Sequence, residues 1–122
     1  MILGRNTALI EMPVSWSPDD HPLFEMTSNR PGHRNANRVM KNWLDDFLYM
    51  TRCTDWGIIT YTCHPYVIGR GHRMMMLERL IAKLQDLGAE FMRMKDAARL
   101  YNERKPIREN FLFLYEELRF SK

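Results

Sequence analysis

Short apolar segments alternate with amphipathic segments along this chain, and that alternation limits its fold more than any other feature. The apolar segments are rich in β-branched and aromatic residues, which predicts strands. They span residues 7–14, 56–63 and 89–92. The amphipathic segments carry apolar residues at steps of three and four, which predicts helices. They span residues 37–52, 73–87 and 95–105. Strand followed by helix three times predicts an α/β architecture with parallel strands and right-handed crossovers.

Length and composition narrow the class of protein. The 122 residues predict a single domain over 1–122, and no apolar run approaches the roughly 20 residues of a membrane helix. The net charge of +3 is small, and its basic excess is mixed with acids on predicted helices. A nucleic-acid footprint is denser than this. We therefore expect neither a nucleic acid nor a membrane as a partner.

Two further features bear on compartment and partners. Cys53 and Cys63 are too few and too widely spaced for a zinc motif. They predict buried thiols in a reducing compartment, and so a cytoplasmic protein. The segment 106–122 is rich in apolar residues, which require a covering surface on this domain or on another chain.

The candidate chemical residues follow the first two predicted strands, where functional residues collect in parallel α/β folds. His64 comes directly after one strand and is suited to proton transfer, with Asp19 or Asp20 as a carboxylate that tunes its pKa. The alternatives are a structural histidine and aspartates that form turns or cap helices. Arg70 lies between two glycines and could meet an anion, although an exposed loop arginine is commoner.

Four stretches resemble the polysaccharide deacetylases, in the branch of peptidoglycan deacetylase-like and allantoinase-like proteins. They span residues 12–24, 62–70, 76–81 and 90–98. The most specific is the His-Pro-x-Val-Ile-Gly-Arg string that begins at His64. The family's fold is a distorted (β/α) barrel, so the resemblance implies that residues 7–102 form its C-terminal half and leaves the tail 106–122 unplaced.

The resemblance also implies an activity, the hydrolysis of a carbon–nitrogen bond in an N-acetyl sugar or a cyclic amide. In the family a metal-bound water attacks the carbonyl. By resemblance His64 protonates the leaving amine, Asp20 orients that histidine, Trp16 forms part of a substrate groove and Arg70 closes the motif. The family's metal ligands are an early Asp-Asp pair and a His-x-x-x-His motif, and both are absent from this sequence. We therefore expect no metal ligand in this chain, and zinc or another divalent metal only with an N-terminal half.

Three hypotheses remain open. The chain is the C-terminal portion of a metal-dependent deacetylase-like hydrolase, inactive without its N-terminal half, or it is a non-catalytic interaction module. Such a module could pair with a second copy of itself as a homo-oligomer. A small hydrolase that uses only His64 and Asp20 is the least favoured, because no nucleophile accompanies them.

Overall fold

The structure is a computed structural model that describes residues 10–12, 14–26, 29 and 32–104. Within these residues the backbone forms five helices, of which the first and third are single turns. They are α1 (His21–Phe24), α2 (Ala36–Cys53), α3 (Pro65–Ile68), α4 (Gly71–Asp86) and α5 (Met94–Arg104). None of the helices in this part of the chain has the length and apolar character that crossing a membrane requires.

The prediction of an α/β barrel half with parallel strands is wrong. Among the described residues the β-structure consists of one isolated parallel bridge, between Asp19 and Thr62. The second predicted strand contributes only Thr62, and the third is irregular throughout. The first falls partly outside the described residues and is irregular at 10–12 and at 14. β-branched runs fit a pleated surface only where a neighbouring strand pairs with them, and pairing is not encoded in the local pattern.

The three predicted amphipathic helices are confirmed as α2, α4 and α5, with ends within two residues of the predicted ones. Asn35 caps α2, because its side chain accepts hydrogen bonds from the N–H groups of Asn37 and Arg38 at 3.0 and 3.2 Å. This satisfies two of the N–H groups that a helix start leaves without intrahelical partners. Helix starts and periodicity are local signals, which is why the sequence predicts them well.

The chain divides into two compact units. One comprises Pro13–Phe91 and holds α1 to α4 around a buried cluster. The members of that cluster are Phe24, Val39, Trp43, Phe47, Val67, Ile68, Met76, Leu80 and Leu84. Helices α2 and α4 pack against each other, and α1 and α3 supply the remaining apolar side chains of the cluster.

The other unit comprises Met1–Met12 and Met92–Lys122. Its described part contains α5, which starts with hydrogen bonds from the N–H groups of Asp96 and Ala97 to Arg93 O. The apolar tail 106–122 lies outside the described residues. The single-domain assignment of residues 1–122 therefore stays a prediction.

Gly88 ends α4 as the sequence predicts, with a left-handed φ of +86°. Its N–H donates to Gln85 O, and the N–H of Ala89 donates to Leu84 O, which is the pattern that closes many helices. A Cβ at Gly88 meets nothing within 4 Å. The glycine is therefore required by its backbone conformation alone, without any steric demand from neighbouring atoms.

We expect Gly88→Ala to lower the free energy of unfolding by about 1 kcal/mol, because L-residues disfavour this conformation. Gly71→Ala is the matched control, since Gly71 begins α4 and a Cβ there also meets open space. We expect it to raise the stability by up to about 1 kcal/mol. Urea unfolding of both variants measures this, and equal shifts for the two would contradict the explanation.

Candidate functional site

Two single-turn helices present Asp20 and His64 next to each other. Helix α1 begins after Asp20 and α3 begins after His64, each with a proline in its first two positions. The bridge between Asp19 and Thr62 aligns the segments that lead into them. Thr62 N–H donates to Pro18 O at 2.8 Å, and Asp20 N–H donates to Thr62 O at 3.1 Å. One short parallel pairing therefore fixes the two residues side by side.

Asp20 and His64 form a bidentate hydrogen-bonded pair. The Asp20 side chain is fully buried, and its Oδ2 accepts the backbone N–H of His64 at 2.9 Å. Its Oδ1 lies 2.7 Å from His64 Nδ1. These bonds set the orientation of the ring, and they leave Nε2 as the imidazole nitrogen that can exchange a proton with a ligand.

The surroundings of His64 favour its protonated form. The hydrogen bond that His64 donates to the Asp20 carboxylate is the main cause that raises the pKa of His64 above its ordinary 6.5. Partial loss of water lowers this pKa, and the charges of Asp20 and Asp19 raise it further. Asp19 Oδ1 is 3.8 Å from Nδ1. A histidine that stays protonated closer to neutral pH is suited to act as a general acid.

The adjacent aspartates have separate roles. Asp19 Oδ1 accepts the backbone N–H of His21 at 2.8 Å, which is the turn-forming role that the sequence left open for both. Asp20 makes no side-chain bond to cap α1, because both of its oxygens bind His64. Residue type and position alone could not distinguish the two aspartates, since both are buried and only their hydrogen-bond partners differ.

Cys63 precedes the histidine and is not activated. Burial, followed by the charges of Asp20 and Asp19, raises the pKa of its thiol to about 11. The thiol is therefore protonated at neutral pH and is a poor nucleophile. Cys53 is exposed, against the expectation that both thiols are buried.

Two aromatic rings that the sequence analysis did not single out surround His64. The ring of His21 lies 5.4 Å from that of His64, and the ring of Tyr66 lies 5.7 Å from it, both edge to face. Tyr66 is 61% exposed, so this side of the pair is accessible to a ligand. Their positions in the sequence could have identified these two residues, because His21 follows Asp20 directly and Tyr66 lies two residues after His64.

The carboxylates of Asp19 and Asp20 and a nitrogen of His64 lie within 4.8 Å of one another. A metal requires ligand atoms without protons. Here Asp20 Oδ1 binds His64 Nδ1, Asp20 Oδ2 accepts the backbone N–H of His64, and Asp19 Oδ1 accepts the backbone N–H of His21. The arrangement therefore does not fit a metal ion, and we derive no chemical step through one.

The other two candidates lie at exposed positions. Trp16 is 79% exposed. The loop that carries it is held to α2 by a hydrogen bond from Ser17 Oγ to Asp46 Oδ2 at 2.9 Å. Arg70 is exposed, and its carbonyl starts α4 by accepting the N–H of Arg73. No described contact joins Trp16 or Arg70 to His64, so their substrate-binding roles stay predictions.

Comparison with characterised proteins gives one informative relative. A peptidoglycan deacetylase from Helicobacter pylori is 30% identical to this chain over 84 residues. The chain is distantly similar to that deacetylase. The match covers 66% of this chain and 29% of the relative, so the chain spans less than a third of the relative's length. No family model matches, and no solved structure does. The similarity supports a deacetylase-like origin.

Proposed function

We propose that this chain is the C-terminal portion of a deacetylase-like hydrolase that cleaves a carbon–nitrogen bond in an N-acetyl sugar or a cyclic amide. The observation that carries the proposal is the buried Asp20 carboxylate bound twice to His64, which leaves Nε2 available. The similarity to a peptidoglycan deacetylase supports the reaction class. Burying a charged carboxylate costs stability. A buried carboxylate that is bonded to a partly exposed histidine is therefore better explained by proton transfer than by packing.

In this proposal His64 is the general acid. The protonated imidazole donates Nδ1–H to Asp20 and offers Nε2–H to the nitrogen of the scissile bond. As that bond breaks, the leaving nitrogen takes the Nε2 proton, and the imidazole becomes neutral. Asp20 keeps its bond to Nδ1–H throughout, so the ring does not reorient during the transfer.

The groups that activate the attacking water lie elsewhere in this proposal. We propose that an N-terminal half of the family's fold supplies them, and that zinc or another divalent cation is required only with that half. A carbohydrate or a small cyclic amide is then the substrate. The alternative is a non-catalytic interaction or oligomerisation module, in which the exposed Trp16 contacts a second copy.

A chimera tests the catalytic proposal. The matched stretch of this chain, 66% of its length, replaces the corresponding part of the Helicobacter pylori deacetylase, and acetate release from peptidoglycan is measured. We expect His64→Ala in the graft to lower kcat by about 10²–10⁴-fold, the usual contribution of a general acid. Cys53→Ser is the control, because Cys53 is exposed and belongs to α2 rather than to the pair.

Two outcomes of this assay would count against the proposal. One is a folded chimera that releases acetate equally well with and without His64. The other is a folded chimera that releases none while the parent enzyme does. Light scattering on the intact 122-residue chain then tests the alternative of an oligomerisation module. That alternative predicts a dimer for the wild type and a monomer for Trp16→Ala.

A further inference from the structure

Arg73 is a buried cation in the first turn of α4 that the sequence analysis did not select. It is 3% exposed, and its guanidinium carbon lies 4.6 Å from the centre of the Phe24 ring. The nearest carboxylate oxygen, on Glu25, is 4.0 Å from Nη1, and Nε has no hydrogen-bond partner. A buried arginine whose charge is only partly paired lowers the stability of the fold. Its contacts therefore require an explanation.

Those contacts join the two helices that carry the acid pair. Nη1 donates to Val67 O in α3 at 2.7 Å, and Nη2 donates to Phe24 O at the end of α1 at 3.3 Å and lies 3.5 Å from His33 Nδ1. Carbonyls at the end of a helix carry partial negative charge and attract cations. A single guanidinium therefore binds the last turn of both helices.

Each of these helices is a single turn, so its two ends move together. Phe24 N–H donates to Asp20 O at 2.9 Å, and Val67 N–H donates to His64 O at 2.8 Å. Helices this short do not hold their conformation unaided. Arg73 thus sets the spacing of α1 and α3 at their ends, while the bridge at Thr62 sets the spacing of the segments that lead into them, and both contribute to the distance between Asp20 and His64.

We propose that Arg73 is a positioning residue that holds the Asp20 carboxylate against the His64 imidazole. It touches neither the reacting atoms nor the substrate and acts through α1 and α3. The inference deepens the proposed function, but the geometric statement holds or fails without any measurement of activity.

The test is the titration of His64 followed by NMR in the intact 122-residue chain. Arg73→Gln removes the charge and the guanidinium that binds both carbonyls, and Arg73→Lys keeps the charge but offers one nitrogen in place of the two that bind α1 and α3. We expect the pKa of His64 to fall towards 6.5 in both variants, because a weaker hydrogen bond to Asp20 removes the main cause that raises it. Loss of a nearby cation by itself would raise this pKa, so the sign separates positioning from a direct charge effect.

Leu84→Ala is the matched control, because Leu84 is also buried and lies in the same helix as Arg73. It should destabilise the fold without moving the pKa of His64. The proposal is overturned if the pKa is unchanged or higher in a folded Arg73→Gln variant, or if Leu84→Ala lowers it equally. If the glutamine variant does not fold, the lysine variant decides. A lysine variant that also fails to fold overturns the proposal, since Arg73 would then be required for the whole core.

The titration also separates this inference from the proposed function. A chimera that retains full activity without His64 contradicts the catalytic role but leaves the pKa result in place. A His64 pKa that ignores Arg73 contradicts the positioning role and leaves the activity result in place.

Discussion

Replacing Trp43 with alanine is expected to lower the free energy of unfolding by about 3–5 kcal/mol. Trp43 is completely buried at the centre of the Pro13–Phe91 unit, and its removal leaves a large cavity. The side chain also connects separate segments. Its Nε1–H donates to Ser17 O at 3.0 Å, and its ring lies 5.5 Å from that of Tyr61. The loss of packing and of this hydrogen bond act in the same direction.

Tyr49→Ala is the control for Trp43, since Tyr49 lies in the same helix and is 68% exposed. It should change the stability by no more than about 0.5 kcal/mol. Trp43→Phe keeps most of the packing but loses the bond to Ser17 O, so we expect an intermediate value. Urea unfolding followed by circular dichroism measures all three, and a loss below about 1 kcal/mol for Trp43→Ala would rule out this account of the core.

The second large effect is expected for Asp20→Asn. The amide of asparagine has one acceptor oxygen, and its NH₂ group then faces a donor of His64. As long as the imidazole carries a proton on Nδ1, either this Nδ1–H or the backbone N–H of His64 loses its partner next to a fully buried side chain. We expect the free energy of unfolding to fall by about 1–3 kcal/mol, the cost of an unsatisfied buried group.

The same substitution should change how stability depends on pH. Because the folded-state pKa of His64 is raised above 6.5, the folded chain binds more protons than the unfolded chain between these two values. This contribution is complete below pH 6.5 and is lost as the pH rises through the folded-state pKa. In Asp20→Asn the main cause of the raised pKa is gone, so this pH dependence should flatten.

Urea unfolding at several pH values from 5.5 to 8 measures this difference between the variant and the wild type. Asp45→Asn is the control, because it removes an exposed carboxylate that pairs with Lys41 on α2. That change should leave the pH profile parallel to the wild type. A parallel profile for Asp20→Asn as well would show that Asp20 does not control the protonation of His64.

The sequence by itself determined the features that depend on neighbouring residues along the chain. The periodicity that predicts α2, α4 and α5 is local, and the structure confirms these helices. The cap at Asn35 and the left-handed Gly88 after α4 also depend on residues close in sequence. The sequence also identified His64 as a candidate, since it follows an apolar segment and precedes a proline, whereas Asp20 was separated from Asp19 only by the resemblance to the deacetylases.

Only the tertiary structure decided which groups meet across long stretches of chain. The apolar segment 56–63 has a strand-like composition, yet in the described residues only Thr62 pairs. Asp19 and Asp20 differ because one faces a turn and the other faces His64, 44 positions along the chain. In the sequence Arg73 looks like an exposed arginine at a polar helix start, but in the structure it is buried and contacts α1 and α3. Pairing and burial depend on contacts distant in sequence, and local patterns carry no information about which distant atoms will meet.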